Sequence, residues 1–168
     1  SEMCIRDRSI HGNGFVARLS GATAEFIHIL LLLASGPRPF RLDAKGKLQL
    51  CLTPSLPGWL FTHEERKIRV FQENQCQEVD LPARTFSFMF LGKILVTYHN
   101  IDLKDTYGKA GVTPVEWKIV DLDGNIQTFN TETLSGEIVN KIRERKVNRI
   151  EIVLRLSLIH ISEPTRPY

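Results

Sequence analysis

The sequence predicts a mainly β protein, α+β overall, in which one apolar helix precedes a C-terminal β-sandwich. Two observations carry this. Apolar residues sit at helical spacing early in the 168-residue chain, and from about Leu42 onward they alternate in many short runs separated by glycine-, proline- or charge-rich turns.

The elements follow in order. Phe15, Leu19, Ala22 and Phe26 share one helical face before the pattern closes into Ile29-Leu30-Leu31-Leu32-Leu33-Ala34. A helix apolar all round has to be wrapped by further helices or a sheet, which a small sandwich alone does not supply. Gly36-Pro37 with Pro39 stops it. Ala44-Lys45-Gly46-Lys47 is a turn leading to a strand through Leu48, Leu50 and Leu52. Further strands are expected at 58–62, 67–71, 86–91, 94–98, 115–122 and 126–129. Asp123-Gly124 is the strongest hairpin signal. Residues 134–145 place Ile138, Val139 and Ile142 on one face of an amphipathic helix, and Ile150, Ile152 and Leu154 form the last strand.

The chain ends have a different texture. Ser1 to Asp7 can be encoded by TCG GAG ATG TGT ATA AGA GAC, and the reverse complement of that string, continued into the codon of Arg8, encodes Leu156-Ser157-Leu158-Ile159-His160-Ile161-Ser162. The string resembles a transposon-end adapter of sequencing libraries. Residues 1–8 and 156–168 are therefore expected to be adapter-derived and are set apart from fold and function. The expected organisation is then 9–41 as the end of a preceding helical domain and 42–155 as the sandwich, cut from a longer gene.

Composition excludes several classes. The net charge is +3, with basic residues interleaved among acidic ones, so neither nucleic acid nor an anionic membrane is an expected partner. The longest apolar run, 26–34, carries His28 and falls short of the roughly 20 residues that span a bilayer. Outside the terminal segments Cys51 and Cys76 lack C-x-x-C spacing. They are expected to be reduced, structural residues of a cytoplasmic protein.

Chemistry is concentrated in few places. Arg18-Leu19-Ser20-Gly21-Ala22-Thr23-Ala24-Glu25 sets two hydroxyls and a glycine where the buried helix begins, and free backbone N–H groups there can hold a phosphate. The same residues also make an ordinary N-cap, with Ser20 or Thr23 satisfying orphan donors. Asp102 and Asp105 lie in a polar loop, Asn100 to Gly108, beside Tyr98, His99, Tyr107 and Trp117. This rim could meet sugar, although Asx turns account for the carboxylates without any ligand. His63-Glu64-Glu65 lacks the spacing of a metal site and reads as a solvated turn. No catalytic residue and no resident metal or cofactor is assigned.

The order of the pieces resembles one family. Ser20-Gly21-Ala22-Thr23 opening an apolar helix, then Gly36-Pro37-Arg38-Pro39-Phe40, then Gly46-Lys47-Leu48 leading to Leu52-Thr53-Pro54-Ser55-Leu56-Pro57-Gly58-Trp59, is similar to the end of inverting glycoside phosphorylases of the cellobiose and β-glucan type. There the last helices of an (α/α)6 barrel precede a G-L-x-I-x-P-x-I-P-x-x-W-like segment and a C-terminal sandwich. Phe88-Met89-Phe90-Leu91-Gly92-Lys93 and Val96-Thr97-Tyr98-His99-Asn100 look like the sandwich of larger relatives. The resemblance implies phosphorolysis of β-glucan oligosaccharides with inorganic phosphate as co-substrate. It places phosphate binding on Ser20 and Gly21, where serine replaces the family's threonine. The family's catalytic acid lies upstream, so Ser9–Arg155 is expected to be inactive alone. The alternative is a non-catalytic carbohydrate-binding or structural sandwich appended to another (α/α)-barrel glycosidase.

Overall fold

A computed structural model of the chain describes residues 22–156. It is mainly β, a sandwich-like domain preceded by a helix. Helix α1 covers residues 22–35. It ends where expected: Gly36 takes φ 82°, and its N–H donates to Leu32 O at 2.9 Å. The strands are β1 (Phe40–Leu42), β2 (Leu48–Leu50), β3 (Arg66–Gln72), β4 (Gln75–Leu81), β5 (Thr85–Phe90), β6 (Ile94–Asn100), β7 (Val112–Asp121), β8 (Ile126–Phe129), β9 (Leu134–Ser135) and β10 (Val147–Leu156). Helix α2, Glu137–Arg143, lies between the last two.

A five-stranded sheet in the order β5-β6-β10-β7-β8 forms the backbone of the domain. Its neighbours are antiparallel except β6 and β10, which run parallel with Ile152 opposite Tyr98. The inner face presents Phe90, Ile94, Val96, Tyr98, Trp117, Ile119, Ile150 and Ile152. These pack against Leu50 and Leu134 of the three-stranded sheet β1-β2-β9 and against Ile138, Val139 and Ile142 of α2. Phe86, Phe88 and Phe90 follow one another along β5 with ring centroids 6.4 Å apart at each step, the visible result of their period-two spacing. The hairpin β3–β4 covers part of the outer face, where Val70, Val79 and Leu81 meet Leu95.

Three local expectations are corrected. Residues 58–62 are not a strand: Gly58–Leu60 is a 3-10 turn, because Pro54 and Pro57 remove ladder donors and the Gly58 N–H is taken by Asp105. The stretch 134–145 is not one helix: Leu134–Ser135 joins β2 as β9, and only Glu137–Arg143 is helical. β4 and β1 were not expected as strands. β4 is charged on its open face, and its turn from β3 uses Glu73 and Asn74, both at positive φ, in place of an Asn-Gly pair.

The C-terminal end of helix α1 is hydrogen-bonded to the sandwich, and Ile27, Leu30 and Leu31 lie beside Phe86, Phe88 and Met89 of β5. The Tyr98 hydroxyl donates to Ala34 O at 2.7 Å, Ser55 N–H to Leu33 O at 2.7 Å and Thr53 N–H to Ser35 O at 3.2 Å. Much of its apolar surface is nonetheless open: Phe26 is 61% exposed, Leu30 39% and Leu33 38%, while Leu31 is half-buried. Burial pushes the Tyr98 phenol far above its ordinary pKa, with the nearby Cys51 adding to the shift, so the hydroxyl is a permanent donor. Tyr98→Phe is expected to cost about 1–3 kcal/mol by leaving Ala34 O without its donor. Hydrogen exchange that accelerates at Gly36 and Ser55 ahead of the sheet amides would identify the loosened helix end.

Leu156, the first residue of the adapter-like C-terminal segment, pairs with Val112 and packs against the core. Leu156 continues the alternation of β10 by one residue. Among the described residues no helix is long and apolar enough to cross a membrane.

Candidate functional site

Ser20 and Gly21, the expected phosphate ligands, lie outside the described residues. What the structure builds in full is the segment Leu52–Phe61 and the loop that holds it. Thr106 is the pin: its hydroxyl donates to Pro54 O at 2.7 Å and accepts from Leu56 N–H at 2.8 Å, while its own N–H donates to Leu56 O at 3.0 Å. Asp105 Oδ1 accepts from Gly58 N–H at 2.8 Å. Gly58 is buried so closely that a Cβ built on it would lie 1.9 Å from Leu103 O. Proline carbonyls, a threonine hydroxyl and a glycine thus replace regular pairing where the chain passes beneath the 101–111 loop.

The rim residues separate. Tyr98 and Trp117 are not surface rings: both are 0% exposed, and Trp117 Nε1–H donates to Thr131 O at 2.9 Å. Their alternation on β6 and β7 turns them inward, a direction that period-two spacing leaves open until the sheet order is known. His99 points to the outer face. Tyr107 is half-exposed, and Trp59 is 74% exposed. Asp105 is not accounted for by an Asx turn, because its bond reaches a residue distant in sequence. Trp59 was legible only as a motif residue, and Thr106 carried no signal in the sequence.

The outer face of the main sheet carries one row of polar residues across all five strands: Ser87, Thr97, Glu151, Lys118 and Thr128, each opposite the next. Ser87 Oγ and Thr97 Oγ1 are 2.8 Å apart. Arg149 donates to Glu151 Oε1 at 2.6 Å, and Lys118 Nζ lies 3.8 Å from Oε2. His99 is beside this row. Burial lowers its pKa from 6.5, opposed by the charge of Glu151 and reinforced by Lys118 and Arg149.

A histidine whose folded pKa lies below its unfolded one is protonated first in the unfolded chain. Stability is thus complete above about pH 6.5 and declines as the pH falls through that value towards the lower folded pKa. Urea unfolding across this range should show the decline, and His99→Gln should flatten that part of it.

His63, Glu64 and Glu65 are exposed ahead of β3, and among the described residues no group of three or more His, Cys, Asp or Glu is placed to hold a metal. Cys51 and Cys76 are unbonded to each other. Compared with protein-family models and with curated proteins, the chain matches none.

Proposed function

We propose that the chain is the C-terminal part of a cytoplasmic glycoside phosphorylase that cleaves β-glucosidic bonds with inorganic phosphate, releasing α-glucose 1-phosphate, and that by itself it is inactive. The observation that carries this reading is α1. It is an apolar helix hydrogen-bonded at its C-terminal end to a sandwich-like domain, with Phe26, Ile27, Ile29, Leu30, Leu32 and Leu33 exposed along its length. The hydrophobic effect makes such a surface costly in water, at roughly 25 cal/mol for each Å² that a neighbour could cover. Partner helices of a preceding barrel would supply that cover. The helix leads through the Thr106-pinned Leu52–Trp59 segment into the sandwich, the same order of pieces as in the resembling family.

On this reading Ser20 and Gly21, which precede the described part of α1 in the sequence, contribute a hydroxyl and backbone donors to phosphate. One helix end contributes about 0.3–1 kcal/mol when exposed, so cationic partners from upstream have to complete the site. An upstream carboxylic acid protonates the leaving glycosidic oxygen. Phosphate attacks the anomeric carbon from the opposite face, taking the part that water has in an inverting hydrolase.

The coding sequence upstream, reassembled without the adapter-like ends, tests the assignment. A helical barrel with one catalytic Asp and an Arg/His phosphate site supports it. Two catalytic carboxylates spaced for a water would assign the sandwich to a hydrolase as a non-catalytic module and overturn it.

A further inference from the structure

Trp59 is the most exposed large apolar side chain among the described residues, at 74%. Its backbone is nonetheless fixed on both sides. Gly58 N–H is held by Asp105, Leu60 N–H donates to Pro57 O at 3.1 Å, and Phe61, which closes the turn through Gly58 O at 3.2 Å, is 1% exposed. The Gly58 bond also holds the Asp105 carboxylate to the residue next to Trp59, and Asp105 is itself exposed. Tyr107, 51% exposed, follows the Thr106 pin. An aromatic face, an oriented carboxylate and a second ring therefore stand on two loops joined by buried hydrogen bonds.

A pyranose ring has the complementary chemistry. Its axial C–H groups form an apolar face that stacks on an aromatic ring, and its equatorial hydroxyls donate to a carboxylate. We propose that Trp59, with Asp105 and Tyr107, binds a pyranose unit of a β-glucan chain, away from the chemistry of bond cleavage. The choice of a glucan rests on the phosphorylase reading; the recognition of a pyranose rests on these residues.

The test uses the full 168-residue chain labelled with ¹⁵N, whose two tryptophans give two indole N–H signals, titrated separately with cellotetraose and laminaritetraose. The Trp59 signal should move saturably at millimolar sugar with at least one of them, while that of buried Trp117 stays in place. Trp59→Ala should weaken binding at least about tenfold, read from the amides of 103–107. Asp105→Asn, which keeps an acceptor for Gly58 N–H but loses the charge, should weaken it severalfold. The proposal is overturned if neither sugar moves the Trp59 signal of the folded chain, if Trp59→Ala binds as tightly as the parent sequence, or if the signal responds only to protein concentration, which would mark a contact between copies. Phosphate-dependent cleavage by the longer protein is measured separately, so either result can fail without the other.

Discussion

Trp117→Ala should lose about 3–5 kcal/mol of folding stability, a large share of the 5–15 kcal/mol typical of a domain. The indole is fully buried on β7, opposite Ile152 of the central strand β10 on one side and Phe129 of β8 on the other. Removing it opens a cavity between the two sheets and takes the donor from Thr131 O. Trp117→Phe keeps an aromatic ring in the core and should lose clearly less, since the bond to Thr131 contributes about 1 kcal/mol and only part of the volume is gone. Urea unfolding of both variants separates the two contributions. Equal losses would mean that the hydrogen bond, not the packing, holds this position.

Gly58→Ala is expected to cost about 3 kcal/mol, the upper part of the usual overpacking range. The atoms a Cβ would strike, Leu103 O at 1.9 Å and Leu103 C at 2.8 Å, belong to backbone and cannot rotate away. Either the 101–111 loop lifts or the Gly58–Asp105 bond breaks, and in both cases the Thr106 pin loosens. Faster amide exchange at Leu56 and Thr106 should accompany the loss. An unchanged unfolding midpoint would show that the two segments are not in contact as described.

Much of the fold was legible because its determinants are local. Gly36 after an apolar helix, the Asp123-Gly124 turn, the spacing of Phe86, Phe88 and Phe90, and the apolar face of Ile138, Val139 and Ile142 each act within a few residues. What was not legible depends on partners far along the chain. The parallel pairing of β6 with β10 joins segments separated by β7, β8, β9 and α2, and no periodicity announces it. The inward direction of Tyr98 and Trp117 follows from that sheet order. Gly58 reads as part of a strand until Leu103 and Asp105 are brought against it. β9 is two residues long and exists only because Leu50 and Leu134 meet. Of the site, Trp59 is visible as a motif letter, whereas Asp105, whose carboxylate holds the neighbouring Gly58 N–H, lies in a loop whose carboxylates local turn chemistry alone also accounts for.

The central claim is that this domain belongs to an enzyme that uses phosphate where a hydrolase uses water. The direct measurement is cleavage of β-gluco-oligosaccharides by the full-length protein with and without inorganic phosphate, following glucose 1-phosphate by ³¹P NMR. The account predicts cleavage that requires phosphate and yields α-glucose 1-phosphate, with Ser20→Ala raising the phosphate concentration needed. Cleavage that proceeds equally well without phosphate and releases free glucose would contradict it.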